Sequence, residues 1–217
     1  MKLSLPPKIK AVAFDLDGTL IDFMKMKKET ARAAAKAMVK AGVPATETTV
    51  YRQIFATYDE KGIEYQKTFS VVLKKYHLTR NGFQKALQAA IIAYHKTKIK
   101  VLKPYPGVKQ MLRRLRQQKI KLALLTDAPR EKAWQRLHLS GLSDLFDVVI
   151  TYDDTKRHKP HALPFKKLLK KLGCKPQEVM MIGDNPKRDV AGAKKAGIKS
   201  FLVKRWFNGF KNKRAGP

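Results

Sequence analysis

The chain reads as an α/β fold, a parallel sheet with helices on both faces, interrupted once by an inserted block of helices. Three observations predict it. Short apolar runs of strand length recur along the chain, and helix-period segments separate several of them. Residues 22–100 break that alternation, with helical period throughout and no convincing strand.

The first strand is expected at IKAVAFD (9–15), inside the stretch AVAFDLDGTLID (11–22). Its apolar run stops at Asp15 and Asp17. On a strand these two would share a face, and two like charges side by side cost energy unless positive charge lies near them. Asp17-Gly18 then signals a tight turn. The inserted block follows, with helical segments at 29–42, 49–62 and 82–98, and it ends at KPYPGV (103–108), where two prolines and a glycine mark a linker. Two domains are therefore expected, residues 1–21 with 101–217 as one and 22–100 as the other.

Beyond the linker, VKQMLRRLRQQ (108–118) places Val108, Met111, Leu112 and Leu115 on one helical face. Strands are expected at IKLALLT (120–126), FDVVIT (146–151), VMMIG (179–183) and SFLV (200–203). Near-continuous apolar character in such short runs fits strands buried on both sides. ALPFKKLLKKLG (162–173) and DVAGAKKAG (189–197) read as helices, the second opened by Asp189 and closed by glycine.

Composition narrows the function classes. A chain of 217 residues with 44% apolar content can bury a core. No apolar run reaches the roughly 18 residues of a membrane span, and MKLSLPPKIK lacks the apolar region of a signal peptide. One cysteine, Cys174, excludes an internal disulfide and fits a reducing cytosol, so a cytoplasmic location is expected and Cys174 is read as structural. Forty-seven Lys and Arg against 17 Asp and Glu give a net charge of +30, and residues 65–126 and 190–217 contain no acid. Such a surface attracts phosphorylated or polyanionic partners. The tail KRWFNGFKNKRAGP, with Trp206, Phe207 and Phe210, has a composition that stacks on bases. Surface solvation by lysines explains the charge equally well, so nucleic acid stays an open alternative as partner.

In an open parallel sheet, ligands bind at the carboxyl ends of the strands. The strand ends deliver Asp15, Asp17, Thr126, Asp127 and Asp184, with Asp189 next to the last and Lys159 in the loop after the third strand. Carboxylates packed this densely need a cation, and an oxygen-rich cluster suits Mg²⁺. Metal, lysine and a free carboxylate together suit phosphoryl transfer. Asp153 and Asp154 are read as loop acids, and His158 beside Lys159 reads equally as a substrate contact or a solvated loop histidine.

These residues resemble the haloacid dehalogenase superfamily of phosphohydrolases. DLDGTL (15–20), LLTDA (124–128), HKPHALPF (158–165) and GDNPKRDVAGAKKAG (183–197) look like its four motifs in order. The resemblance covers Ile9 to about Val203 and implies a Rossmann-like core. The insert after the first strand resembles the helical cap of the first subfamily. The likeness implies Asp15 as nucleophile and Asp17 as general acid and base. It implies Gly18, Thr126, Asp127 and Lys159 around the phosphate, and Mg²⁺ held by the Asp15 carboxylate, the Asp17 carbonyl and Asp184. Asp189 binds the metal through water, orients Lys159, or caps its helix; these stay alternatives. Asp127 stands where many relatives carry asparagine, which leaves a loop or capping role open beside phosphate contact.

The expected activity is hydrolysis of a small phosphorylated metabolite through an aspartyl-phosphate. TDA (126–128) and the TYDD…KPH segment (151–161) resemble archaeal phosphoglycolate and glyceraldehyde 3-phosphate phosphatase-like members. Phe23, Lys25, Lys27 and Tyr58 are the cap candidates for substrate choice. A β-phosphoglucomutase-like phosphotransferase is the alternative, although FMKMKKET (23–30) lacks the histidine-bearing signature of those mutases. The expected assembly is a monomer or homodimer.

Overall fold

The computed structural model describes Pro6 and residues 8–203. The basic aromatic tail singled out above, 204–217, lies outside the described residues. The chain divides into two compact units, Met1–Asp22 with Lys103–Pro217, and Phe23–Leu102.

The first unit is a parallel sheet of β1 (Ala11–Phe14), β2 (Lys121–Leu125), β3 (Val148–Ile150), β4 (Val179–Gly183) and β5 (Lys199–Leu202), in the order β3-β2-β1-β4-β5. All four residues of β1 are fully buried, as a strand with parallel neighbours on both sides requires. Alternate side chains serve opposite faces. Ala11 and Ala13 join Ala123, Leu125 and Met181 in a core closed by Phe165, Leu168 and Leu172 of α8 (Ala162–Leu172). Cys174 packs against that core, in line with a structural role.

Register brings the strand ends level. Phe14 lies opposite Leu124 of β2 and Ile182 of β4. The order reverses between β1 and β4, where the chain crosses to opposite sides of the sheet. That switch point is where an α/β sheet opens a ligand crevice. The fold is thus α/β and Rossmann-like.

The second unit holds α1 (Phe23–Lys40), α2 (Glu47–Lys61), α3 (Thr68–Leu73) and α4 (Arg80–Val101), without a strand among its described residues. Ala31, Ala34, Ala35 and Met38 of α1 pack with Val50 and Ile54 of α2, Val72 and Leu73 of α3, and Ala86 and Ala90 of α4. Helix α1 begins at Phe23 rather than at residue 29, because Met and Lys between them are good helix formers and nothing there stops the helix.

Several boundaries differ from expectation. β1 ends at Phe14, so Asp15 and Asp17 do not share a strand face; Asp17 forms an isolated bridge with Ile21 beyond the sheet. Asp153 and Asp154 sit in a short helix, α7 (Tyr152–Thr155), rather than a loop, with Asp154 closing a capping box on Thr151. Asp189 does not open its helix. A π-turn, Pro186–Val190, precedes α9 (Ala191–Lys195), and Asn185 caps it by accepting from Lys187 N and Arg188 N. Two further helices, α3 and α6 (Arg130–Ser140), have no counterpart in the sequence reading.

Candidate active site

The site grows from the ends of β1, β2 and β4. Asp15 N donates to Ile182 O at 2.9 Å, extending the ladder one residue past β1 and fixing the carboxylate at the switch point. The chain then turns at Gly18, whose φ of +87° favours glycine and whose missing side chain leaves room for the Asp184 carboxylate. Thr126 N donates to Ile150 O at 3.0 Å, and its hydroxyl accepts from Ala128 N at 3.1 Å, which shapes the turn after β2.

Lys159 is the centre of the charge arrangement. It is 4% exposed, and its Nζ donates to Asp15 Oδ1 at 2.6 Å and to Leu125 O at 2.8 Å. The same Nζ lies 2.7 Å from Asp189 Oδ1. Its position in the chain is held by Asp127, whose Oδ1 accepts from Lys159 N at 2.9 Å while Oδ2 meets Arg188 at 3.4 Å. The Asp127 carboxylate therefore ties three loops together. His158 stacks on Tyr152 at 4.4 Å and lies 3.8 Å from Asp127.

Asp189 is 1% exposed and accepts from Asn185 N at 3.0 Å. Asp184 is partly exposed beside it. Thr19, in the turn after β1, donates to Asp15 Oδ2 at 3.3 Å. Asp15, Asp184 and Asp189 each offer a carboxylate oxygen within 4.8 Å of the others, a donor set that fits a hard divalent cation.

Electrostatics point the same way. Burial pushes the Asp15 carboxyl well above its ordinary range against the pull of Lys159, and the carboxylates of Asp189 and Asp184 push it further. Burial, with Asp189 beside it, raises Asp184 to about 6. Burial alone would lower the Lys159 pKa, but Asp15, Asp189 and Asp127 outweigh it and hold the ammonium charged. Three carboxylates against one ammonium leave a negative excess that a cation would neutralise.

Asp17 stands apart from this cluster. Its Oδ2 pairs with Nη1 of Arg136, which is 1% exposed on α6. Neither Arg136 nor Thr19 was a candidate from sequence. Thr19 lies within DGTL, and Arg136 interrupts the buried face of α6 formed by Ala133, Leu137 and Ser140. That periodic break was the available signal.

The model of the haloacid dehalogenase-like hydrolases matches residues 9–197. The chain belongs to this family. It is 34% identical over 197 residues to the glyceraldehyde 3-phosphate phosphatase of Methanothermobacter thermautotrophicus, covering 90% of this chain and 85% of that one. The solved HAD phosphatase of Thermococcus onnurineus superposes with a TM-score of 0.69 at 26% identity, over 94% of this chain and 90% of its own. A Thermotoga maritima structure classed as a β-phosphoglucomutase gives 0.73 at 27% identity, over 94% and 89%. As a haloacid dehalogenase-like hydrolase the chain is an enzyme. No described helix is long and apolar enough to cross a membrane.

Among the expected cap residues, Phe23, Lys27 and Tyr58 are buried and Lys25 is exposed. Lys27 Nζ donates to Ile63 O at 2.6 Å and lies over the Tyr58 ring at 4.6 Å, so both residues are engaged within the helical unit.

Proposed function

We propose that this hydrolase is a Mg²⁺-dependent phosphatase of small phosphate monoesters, with Asp15 as nucleophile. The observation that carries this reading is the Lys159 ammonium at 2.6 Å from Asp15 Oδ1, buried at the carboxyl end of the central strand. A lysine so placed neutralises the approach of a carboxylate to an anionic phosphate.

In the first half-reaction an Asp15 oxygen bonds to phosphorus while the bond to the leaving alcohol breaks. Asp17 gives its proton to the departing oxygen. In the second, Asp17 takes a proton from water as the water oxygen bonds to phosphorus and the bond to Asp15 breaks. Inorganic phosphate and the original carboxylate result. Thr126, Lys159 and the backbone of the Gly18 turn hold phosphate oxygens, and Asp127 acts by keeping Lys159 in place. Asp15, Asp184, the Asp17 carbonyl and Asp189 are the residues that would hold Mg²⁺. The ion supplies charge neutralisation for phosphate and nucleophile.

Glyceraldehyde 3-phosphate is the substrate we infer first, because the Methanothermobacter relative bears that activity in its name and spans nearly the same length. The helical unit inserted between Asp22 and Lys103 is read as the cap that selects it. Transfer to a sugar phosphate instead of water is the second reading, favoured by the likeness to the Thermotoga structure.

Purified protein with Mg²⁺ releases phosphate from p-nitrophenyl phosphate and from glyceraldehyde 3-phosphate, and EDTA abolishes both. D15N lowers turnover by about 1,000-fold or more. Wild-type turnover in D15N refutes the nucleophile assignment. Isomerised sugar phosphate with no net phosphate release favours the mutase reading.

A further inference from the structure

Arg136 is a fully buried arginine on α6, and its guanidinium Nη1 pairs with Oδ2 of Asp17. The partners are 119 positions apart in the chain, so only the fold brings them together. The side chain of Arg136 is 2% exposed and that of Asp17 is 22% exposed. Burying a guanidinium is costly, and replacing a buried ion pair by well-packed apolar side chains is often neutral or stabilising. The neighbours of Arg136 on the same helical face, Ala133 and Leu137, show that this face is otherwise built for apolar packing. Stability therefore gives a weak reason for the pair.

The location gives a stronger one. Helix α6 is pinned at its start, where Arg130 N donates to Asp153 Oδ2 at 2.7 Å and the Arg130 side chain meets Asp154 Oδ1 at 3.0 Å. Arg136 thus projects from a fixed helix. The contact runs from Nη1 to Oδ2, and a rigid guanidinium directs it more narrowly than the rotatable ammonium of a lysine would.

We propose that Arg136 is the positioning residue for Asp17. Its guanidinium holds Oδ2 of the Asp17 carboxyl group, so that Oδ1 is the oxygen that carries the proton to the leaving group and later takes one from water. This rests on the phosphatase reading and on Asp17 as the proton-transfer group. Arg136 acts through Asp17, and a misplaced carboxylate costs rate without changing how the phosphate binds.

The test is leaving-group dependence. The p-nitrophenolate group departs without a proton, whereas the alkoxide of an alkyl phosphate needs one. First-turnover rates are measured on p-nitrophenyl phosphate and on glycerol 3-phosphate for wild type, D17N, R136M and R136K. D17N loses about 100-fold on the alkyl ester and much less on the aryl ester. R136M repeats that selective loss at about tenfold with KM within about twofold of wild type, and R136K shows it at about threefold. Equal losses on both esters, a change in KM alone, or no loss overturns the proposal. Should R136M fail to fold, R136K decides by the same criterion, since it keeps the buried charge. A D17N enzyme without leaving-group selectivity refutes the assignment of Asp17 and this proposal with it. Selectivity in D17N but in neither Arg136 variant refutes the proposal alone.

Discussion

Lys159 concentrates the energetics of the site in one residue. Its ammonium faces Asp15 and Asp189, both buried, so K159M strands two carboxylates in the interior. Removing one partner of such a cluster costs about 3–5 kcal/mol in stability. Denaturant unfolding in EDTA measures this, and a loss below about 1 kcal/mol contradicts the arrangement. Asp184 carries a pH signature. Its carboxyl sits at about 6 in the folded chain and near 3.8 when unexposed to these neighbours. The folded state therefore binds more protons between about pH 4 and pH 6, and the contribution of Asp184 to stability is full below that window and lost as pH rises through it. In EDTA, wild type loses stability across this window relative to D184N. Two parallel pH profiles would contradict the raised pKa. Mg²⁺ reverses the sign, because metal binding requires the ionised form.

At the scale of elements, the loop after β4 illustrates how a helix start serves a site. Asn185 accepts from Lys187 N and Arg188 N at 3.0 Å each, while Asp189 Oδ2 accepts from Asn185 N and its Oδ1 faces Lys159. N185A removes a side-chain cap worth about 1 kcal/mol. It also loosens the segment that carries Asp189, so the Mg²⁺ concentration for half-maximal activity rises along with the stability loss. Unchanged Mg²⁺ dependence would separate the cap from the site. The turn after β1 is equally constrained. G18A places a side chain against Asp184 in a left-handed conformation, and activity falls while β1, held by both neighbours, persists.

The whole molecule carries a charge of +30 on top of an acidic centre. The acids it has are spent in good part on this centre and on the loops around it, as Asp15, Asp127, Asp184 and Asp189 show. The remaining surface is strongly basic, which draws anionic substrates toward the protein at low ionic strength. If that surface serves nucleic acid, the full chain is expected to be retained on duplex DNA at about 50 mM salt and released by about 200 mM, as counterion release dictates for many weak phosphate contacts. Passage through at low salt contradicts a nucleic-acid role for the surface. Phosphatase activity measured with DNA present distinguishes an adjunct surface from a competing one.

The sequence by itself determined the fold class and the acidic centre. Apolar runs of strand length end in Asp15, Thr126 and Asp184, and the parallel register of β1, β2 and β4 sets those ends side by side. Local periodicity and local turn chemistry suffice for that. They failed where a residue's role depends on a partner distant in the chain. Asp17 looked like the neighbour of Asp15 on one strand face, yet β1 stops at Phe14 and Asp17 turns to Arg136. Asp127 stood open between phosphate contact and a loop or capping role, and only the fold supplies its partners, Lys159 N and Arg188, in two other loops. Asp189 stood open between metal, Lys159 and the start of its helix, and packing pairs it with Lys159 and gives the helix start to Asn185. In each case a charged side chain chooses its partner by burial and proximity in three dimensions. Those quantities are settled by packing, and no spacing along the chain encodes them.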